Sequence, residues 1–301
     1  MKRFVKKLSL FGLLFGCILL FIFLLIKLYL SDPAHSGFFM KQEMLVRKYQ
    51  QKIPAVVLLG GSNVMMGFNS GVLHDSLGIS VINAGFSASL GLQFMLRHTS
   101  TYLTKGDILV IAPEYNHFYN DYAYGGSSLA ELFYINPDII TDLDDIRQFK
   151  AIIGNTNDIL MHFIFPPAPR IYKIDFNKYG DLTSHWNMPP QSYDQVSYLY
   201  GFKTINTGFL DYYENAVADL RSRGVQVIII PPPLPETSYR KIEDRLIPLF
   251  SEFDKRNLSF SIPPQESAYS DSLFFDSPYH LVYEGLMIRT GQLLELLKGR
   301  L

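Results

Sequence analysis

The chain of 301 residues is 48% apolar, and its 27 Lys and Arg stand against 28 Asp and Glu, a net charge of −1. That is enough apolar material to build one large domain or two small ones, so extensive disorder is excluded. The lack of a basic excess excludes nucleic acid as the expected partner.

The charge is unevenly placed. Residues 1–30 hold Lys2, Arg3, Lys6, Lys7 and Lys27 and no acid; setting these five aside leaves 22 cations against 28 acids, about −6, for the remainder. Residues 8–26 carry no charge, and the apolar character resumes after Lys27 through Leu30. This length matches the hydrocarbon core of a bilayer, with Lys27 near the far interface, where its ammonium snorkels to water. A cleaved signal peptide would have a shorter apolar region ending in small residues, and Leu28-Tyr29-Leu30-Ser31-Asp32-Pro33 offers no such end. Residues 1–35 are therefore expected to form a basic cytoplasmic tail and a retained transmembrane anchor, the cations held inside by the positive-inside rule. Residues 36–301 then lie outside the cytoplasmic membrane. Cys17 is the only cysteine and belongs to the anchor, so the exported part relies on its core rather than on disulfides.

In chain order, residues 38–51 read as a helix ended by Pro54, and Val56-Val57-Leu58-Leu59 as a fully buried strand. Gly60-Gly61 then turn the backbone and present Ser62. A helix over 71–77 and a strand over 79–83 come next. A small-residue turn over 84–89 leads into a helix running to about 103, closed by Lys105-Gly106-Asp107, and 108–112 is a third strand. From about 118 to 205 the rhythm breaks into an aromatic-rich, proline-interrupted insertion, expected as short helices laid over the carboxyl edge of the sheet. Alternation returns with a helix over 209–223, a strand over 225–230, a helix over 239–256, a short strand near 258–262 and a last helix over 283–298. Strands alternating with helices predict a parallel sheet covered on both faces, in one domain carrying an insertion.

Ligands of such sheets collect beyond the carboxyl ends of the strands, which is where Ser62 sits. A hydroxyl becomes a nucleophile only beside a base. Asp276-Ser277-Pro278-Tyr279-His280 can supply one: an acid and a histidine four positions apart on a loop can hydrogen-bond, the carboxylate holding one ring nitrogen so that the other faces outward. No metal or other cofactor is expected. His117 and His185 lack further ligands at zinc spacing, and Gly60-Gly61 and Gly125-Gly126 do not extend into a phosphate-binding fingerprint. Val64 stands where a Gly-x-Ser-x-Gly elbow needs glycine. Tyr179-Gly180-Asp181 with His185 and Trp186 read either as an aromatic sugar platform or as a folded surface loop.

Four blocks in this order resemble the SGNH/GDSL hydrolase superfamily: Gly60-Gly61-Ser62-Asn63, the turn from Asn83 to Ser89, the loop from Pro113 to Asn116, and Asp276 to His280. The resemblance implies a flavodoxin-like three-layer α/β/α domain with Ser62 as nucleophile, His280 as base and Asp276 as orienting acid. It also implies an oxyanion hole. The backbone N–H of Ser62 is one candidate donor; Ala88 aligns with the family's second-block glycine, with Gly85 the alternative. The third-block asparagine falls near Glu114, Tyr115 or Asn116, of which only Asn116 has an amide to donate; Glu114 instead positions a substrate hydroxyl or braces the loop. The chain departs from the pattern twice, with Gly61 where aspartate is common and Ser277 at the usual acid position. The expected function is that of a membrane-anchored serine esterase or O-acyltransferase acting on an acylated small molecule or envelope glycan. The alternative is a non-catalytic member of the same fold that binds or organises an envelope glycan or a partner membrane protein.

Overall fold

The computed structural model describes residues 2–29, 33–165, 173–193 and 203–300. It opens with one uninterrupted helix, α1 (Lys2–Tyr29). Within it Arg3–Leu25 has a mean hydropathy of 2.9 and is not buried in the folded body. At 1.5 Å per residue that stretch is about 35 Å long, enough to cross a bilayer. Leu30, the last residue of the expected span, lies outside the described residues.

Helix α2 (Pro33–Gln51) inserts Phe38 and Leu45 into the core and ends as expected before Pro54. Then come β1 (Ala55–Gly60), a single turn α3 (Ser62–Met65), α4 (Ser70–Leu77), β2 (Ser80–Asn83), α5 (Leu92–Ser100) and β3 (Ile108–Ala112). The insertion contains α6 (Ser127–Ile135) and α7 (Ile146–Ile164). After it follow α8 (Thr207–Ser222), β4 (Gln226–Ile229), β5 (Leu234–Pro235), α9 (Glu236–Lys255), β6 (Ala268–Tyr269) and α10 (Tyr283–Lys298).

The main sheet is parallel throughout, in the order β2-β1-β3-β4, with Val57 beside Ile82 and Leu109, and Leu109 beside Val227. Side chains alternate across it. Val57, Leu59, Leu109, Ile111 and Ile229 pack with Phe94 of α5, Tyr213 of α8 and Leu249 of α9. Val56, Leu58, Val110 and Ile228 pack on the opposite face with Leu73 of α4 and Leu293 of α10. Because both faces are covered, the strands are apolar in a continuous run, each fully buried Val, Leu or Ile contributing about 1.5–3 kcal/mol.

Three expectations change. The segment near 258–262 is not a strand: Ser261 N–H donates to the Ile229 carbonyl at 2.7 Å, but Pro263 and Pro264 follow at once and no ladder forms. A two-residue parallel pair, β5 with β6, makes a second small sheet instead. The helix expected to run from the 84–89 turn to about 103 is shorter: a 3₁₀ turn over Ala88–Leu90 precedes Gly91, at φ +81°, and α5 starts only after it. The insertion holds a helix of 19 residues rather than short ones only. Its start is set by a capping box in which Asp145 accepts from Arg147 N–H at 2.8 Å and Gln148 accepts from Asp145 N–H at 3.0 Å. The prolines 166, 167 and 169 lie outside the described residues.

Candidate active site

Ser62 is the first residue of α3, carried on the carboxyl end of β1. The loop holding His280 is folded back by its own backbone: the Phe275 N–H donates to the His280 carbonyl at 2.8 Å, His280 N–H to the Ser277 carbonyl at 3.3 Å, and Phe274 bridges Leu281. This brings the two together across 218 positions of sequence, with His280 Nε2 at 2.7 Å from Ser62 Oγ. His280 Nδ1 lies 2.6 Å from Asp276 Oδ1. One imidazole thus has a hydroxyl at one nitrogen and a carboxylate at the other, the geometry in which the hydroxyl can donate to the ring and the ring to the carboxylate. The His280 and Asp276 side chains are 15% and 23% exposed, so the pair opens to solvent on one side.

Ser277 does not compete for the acid's place. Its hydroxyl accepts from Tyr279 N–H at 3.2 Å, inside the turn. Asp271, the next acid upstream, is committed to the start of α9, where it accepts from the Thr237 N–H at 3.2 Å and from the Thr237 hydroxyl.

Of the third-loop residues, Glu114 reaches Ser62: its Oε1 is 3.5 Å from Ser62 Oγ and 3.5 Å from Asn63 Nδ2. Burial pushes its carboxyl above the usual glutamate value, against the opposing pull of His280 and the hydrogen bonds from Asn63 and Ser62. The same carboxyl accounts for Gly61. A Cβ at position 61 would lie 2.5 Å from Glu114 Oε1 and 2.8 Å from the Ala88 Cβ, so the volume that an aspartate would fill is already taken. Ala88 is thereby placed against the Ser62 turn, and His117 Nε2 donates to its carbonyl at 3.0 Å. Burial lowers His117 to about 4, so it is a neutral donor near pH 7. Asn116 lies on the 3₁₀ turn Tyr115–Phe118 and makes no hydrogen bond with Ser62. Gly85 packs beneath α3, where a Cβ would meet Val64 at 2.6 Å, and its carbonyl accepts from the Lys41 ammonium. Burial brings Lys41 down to about 7, with Asp181 opposing.

Several supports are invisible in the local sequence. Arg289 of α10 donates to the Asn63 carbonyl at 2.7 Å and to Asn63 Oδ1 at 3.2 Å, fixing the residue after Ser62. Asn83 donates to the Val64 carbonyl at 2.9 Å and to Asp181 Oδ1 at 2.8 Å, and Asp181 also accepts from the Ser70 hydroxyl at 2.6 Å. Asp181 and His185 are thus buried parts of the scaffold rather than a surface loop. Burial lowers His185 to about 4. Tyr179 and Trp186 remain partly open, Trp186 5.3 Å ring to ring from Tyr283. Among the described residues no cluster of His, Cys, Asp and Glu could hold a metal ion.

No family model matches the chain, and no curated protein matches it.

Proposed function

We propose that this chain is a membrane-anchored serine esterase or O-acyltransferase of the SGNH/GDSL type. The observation that carries the reading is the line of two short hydrogen bonds, Ser62 Oγ to His280 Nε2 at 2.7 Å and His280 Nδ1 to Asp276 Oδ1 at 2.6 Å, at the carboxyl end of a parallel strand.

Ser62 Oγ attacks the ester carbonyl carbon while its proton passes to His280 Nε2, and Asp276 steadies the imidazolium. The tetrahedral oxyanion is met by backbone N–H groups of the α3 turn and of the adjoining Ala88 turn. Collapse breaks the ester C–O bond, and the leaving oxygen takes the proton from His280. Water or an acceptor hydroxyl then attacks the acyl-enzyme and gives its proton to His280, which returns it to Ser62 Oγ as the acyl C–Oγ bond breaks. With α1 spanning the cytoplasmic membrane, the domain works outside it on an acylated small molecule or envelope glycan. Trp186 and Tyr283 are the aromatic faces offered to a sugar ring.

The test is hydrolysis of a chromogenic aryl acetate by the detergent-solubilised chain. Activity that disappears in both Ser62→Ala and His280→Ala is the expected result. Absence of activity in the unaltered chain, or its survival in Ser62→Ala, would favour a binding protein instead.

A further inference from the structure

Helix α7 carries one broad apolar face, of which only one edge is buried. Gln148, Ile152 and Ile159 point inward and are buried. Ile146, Ile153 and Ile164 point outward, 67%, 73% and 60% exposed, and Phe165 follows at 67%. At 3.6 residues per turn the three isoleucines fall within roughly 20° of one another, and the half-buried Phe149 and Leu160 lie beside them, so the open edge of the apolar face runs the length of the helix. Exposed Lys150 and Asn157 border that edge on one side, with Asp158 and His162 turned further round. A row of this kind marks an interaction surface rather than scattered exposure.

The position of α1 identifies what covers it. Helix α1 lies against both α6 and α7. The Phe23 ring sits 5.8 Å from that of Tyr134 on α6, and the Tyr134 hydroxyl is 2.7 Å from Thr156 Oγ1 on α7. Phe23 belongs to the apolar stretch Arg3–Leu25. When that stretch spans a bilayer, the elements touching Phe23 are held at the depth of the membrane interface.

We propose that the outward face of α7 enters the interfacial layer of the bilayer that α1 spans, so that the domain is held down on the lipid surface at two places rather than tethered at one. The isoleucines and Phe165 meet acyl chains, and Lys150 snorkels to the headgroups. The proposal rests on α1 being a membrane span and is independent of the chemistry at Ser62.

The test uses the full chain in phosphatidylcholine–phosphatidylglycerol vesicles. One sample carries an environment-sensitive fluorophore on the native Cys17; the others carry it on Ile153→Cys, Ile164→Cys or Ile247→Cys in a Cys17→Ala background. Ile247 is an exposed isoleucine on α9. The expected result is deep quenching at Cys17 by chain-labelled lipid, blue-shifted emission with shallow quenching at 153 and 164, and a water-like spectrum at 247. If Cys17 is quenched but 153 and 164 read like 247, the docking of α7 is wrong and the anchor stands. If Cys17 is not quenched, the anchor fails and the proposal with it. Shielding of 153 and 164 in native membranes but not in lipid vesicles would assign the face to a protein partner and overturn the bilayer.

Discussion

In the proposed mechanism Asp276 governs which nitrogen of His280 carries the proton, and that choice decides whether Ser62 has a base. In Asp276→Asn the amide can hold the ring in the wrong tautomer and supplies no charge for the imidazolium, so ester turnover should fall by about 10⁴-fold, as in other serine triads. Ser277→Ala removes only the turn bond to Tyr279 N–H. It should cost about 1 kcal/mol of stability and a small part of that loss in turnover. Comparable activity in Asp276→Asn and the unaltered chain would rule out the orienting role. Glu114 gives a second prediction. Burial holds its carboxyl above the value it has in the unfolded chain, so the neutral form is favoured in the fold. The stability it contributes is full below the ordinary glutamate range and is lost as pH rises through the elevated value. Glu114→Gln, which cannot ionise, should therefore gain stability relative to the unaltered chain from acid toward alkaline pH in denaturation series. A difference that does not change with pH would contradict this. Ser62, Asp276 and His280 are legible in sequence because each sits in a short local pattern. Arg289 is not, and Glu114 and Asp181 stand out only as residues, because the partners of all three lie 226, 52 and 98 positions away and no local signal encodes those contacts.

The strands of the main sheet are legible because both faces are buried and each reads as an apolar run between glycines, prolines or polar turns. The segment at 258–262 has the same look, since Phe260 packs with Phe250 and Phe253 and is apolar for that reason, not because it joins a ladder. Helix α7 is locally encoded, by an apolar arc recurring at helical period and by the Asp145–Gln148 box at its start; only the aromatic-rich, proline-bearing stretches around it make the insertion look like short pieces. The register of α2 on the sheet depends on a buried pair: the Lys48 ammonium meets Asp107, whose other oxygen accepts from Ala55 N–H at 3.0 Å. One carboxylate thus ties α2 to the first residues of β1 and β3. Asp107→Asn leaves the Lys48 charge buried without a counter-charge, and chemical denaturation should register a loss of about 3–5 kcal/mol. A loss below about 1 kcal/mol would mean that water reaches Lys48.

Over the whole molecule, one parallel sheet with helices on both faces delivers Ser62 from the first strand and His280 from the loop before the last helix to the same edge. The amino-terminal helix is long and apolar enough to span a membrane, and in the proposed function it sets where that edge operates. Reaction of the solubilised chain with a fluorophosphonate, followed by mass spectrometry to locate the adduct, tests the central claim most directly, because only an activated serine hydroxyl attacks the phosphorus. A single adduct on Ser62 that is lost in His280→Ala is the predicted result. No adduct on Ser62 in a chain shown to be folded, or one that forms equally well without His280, would contradict it.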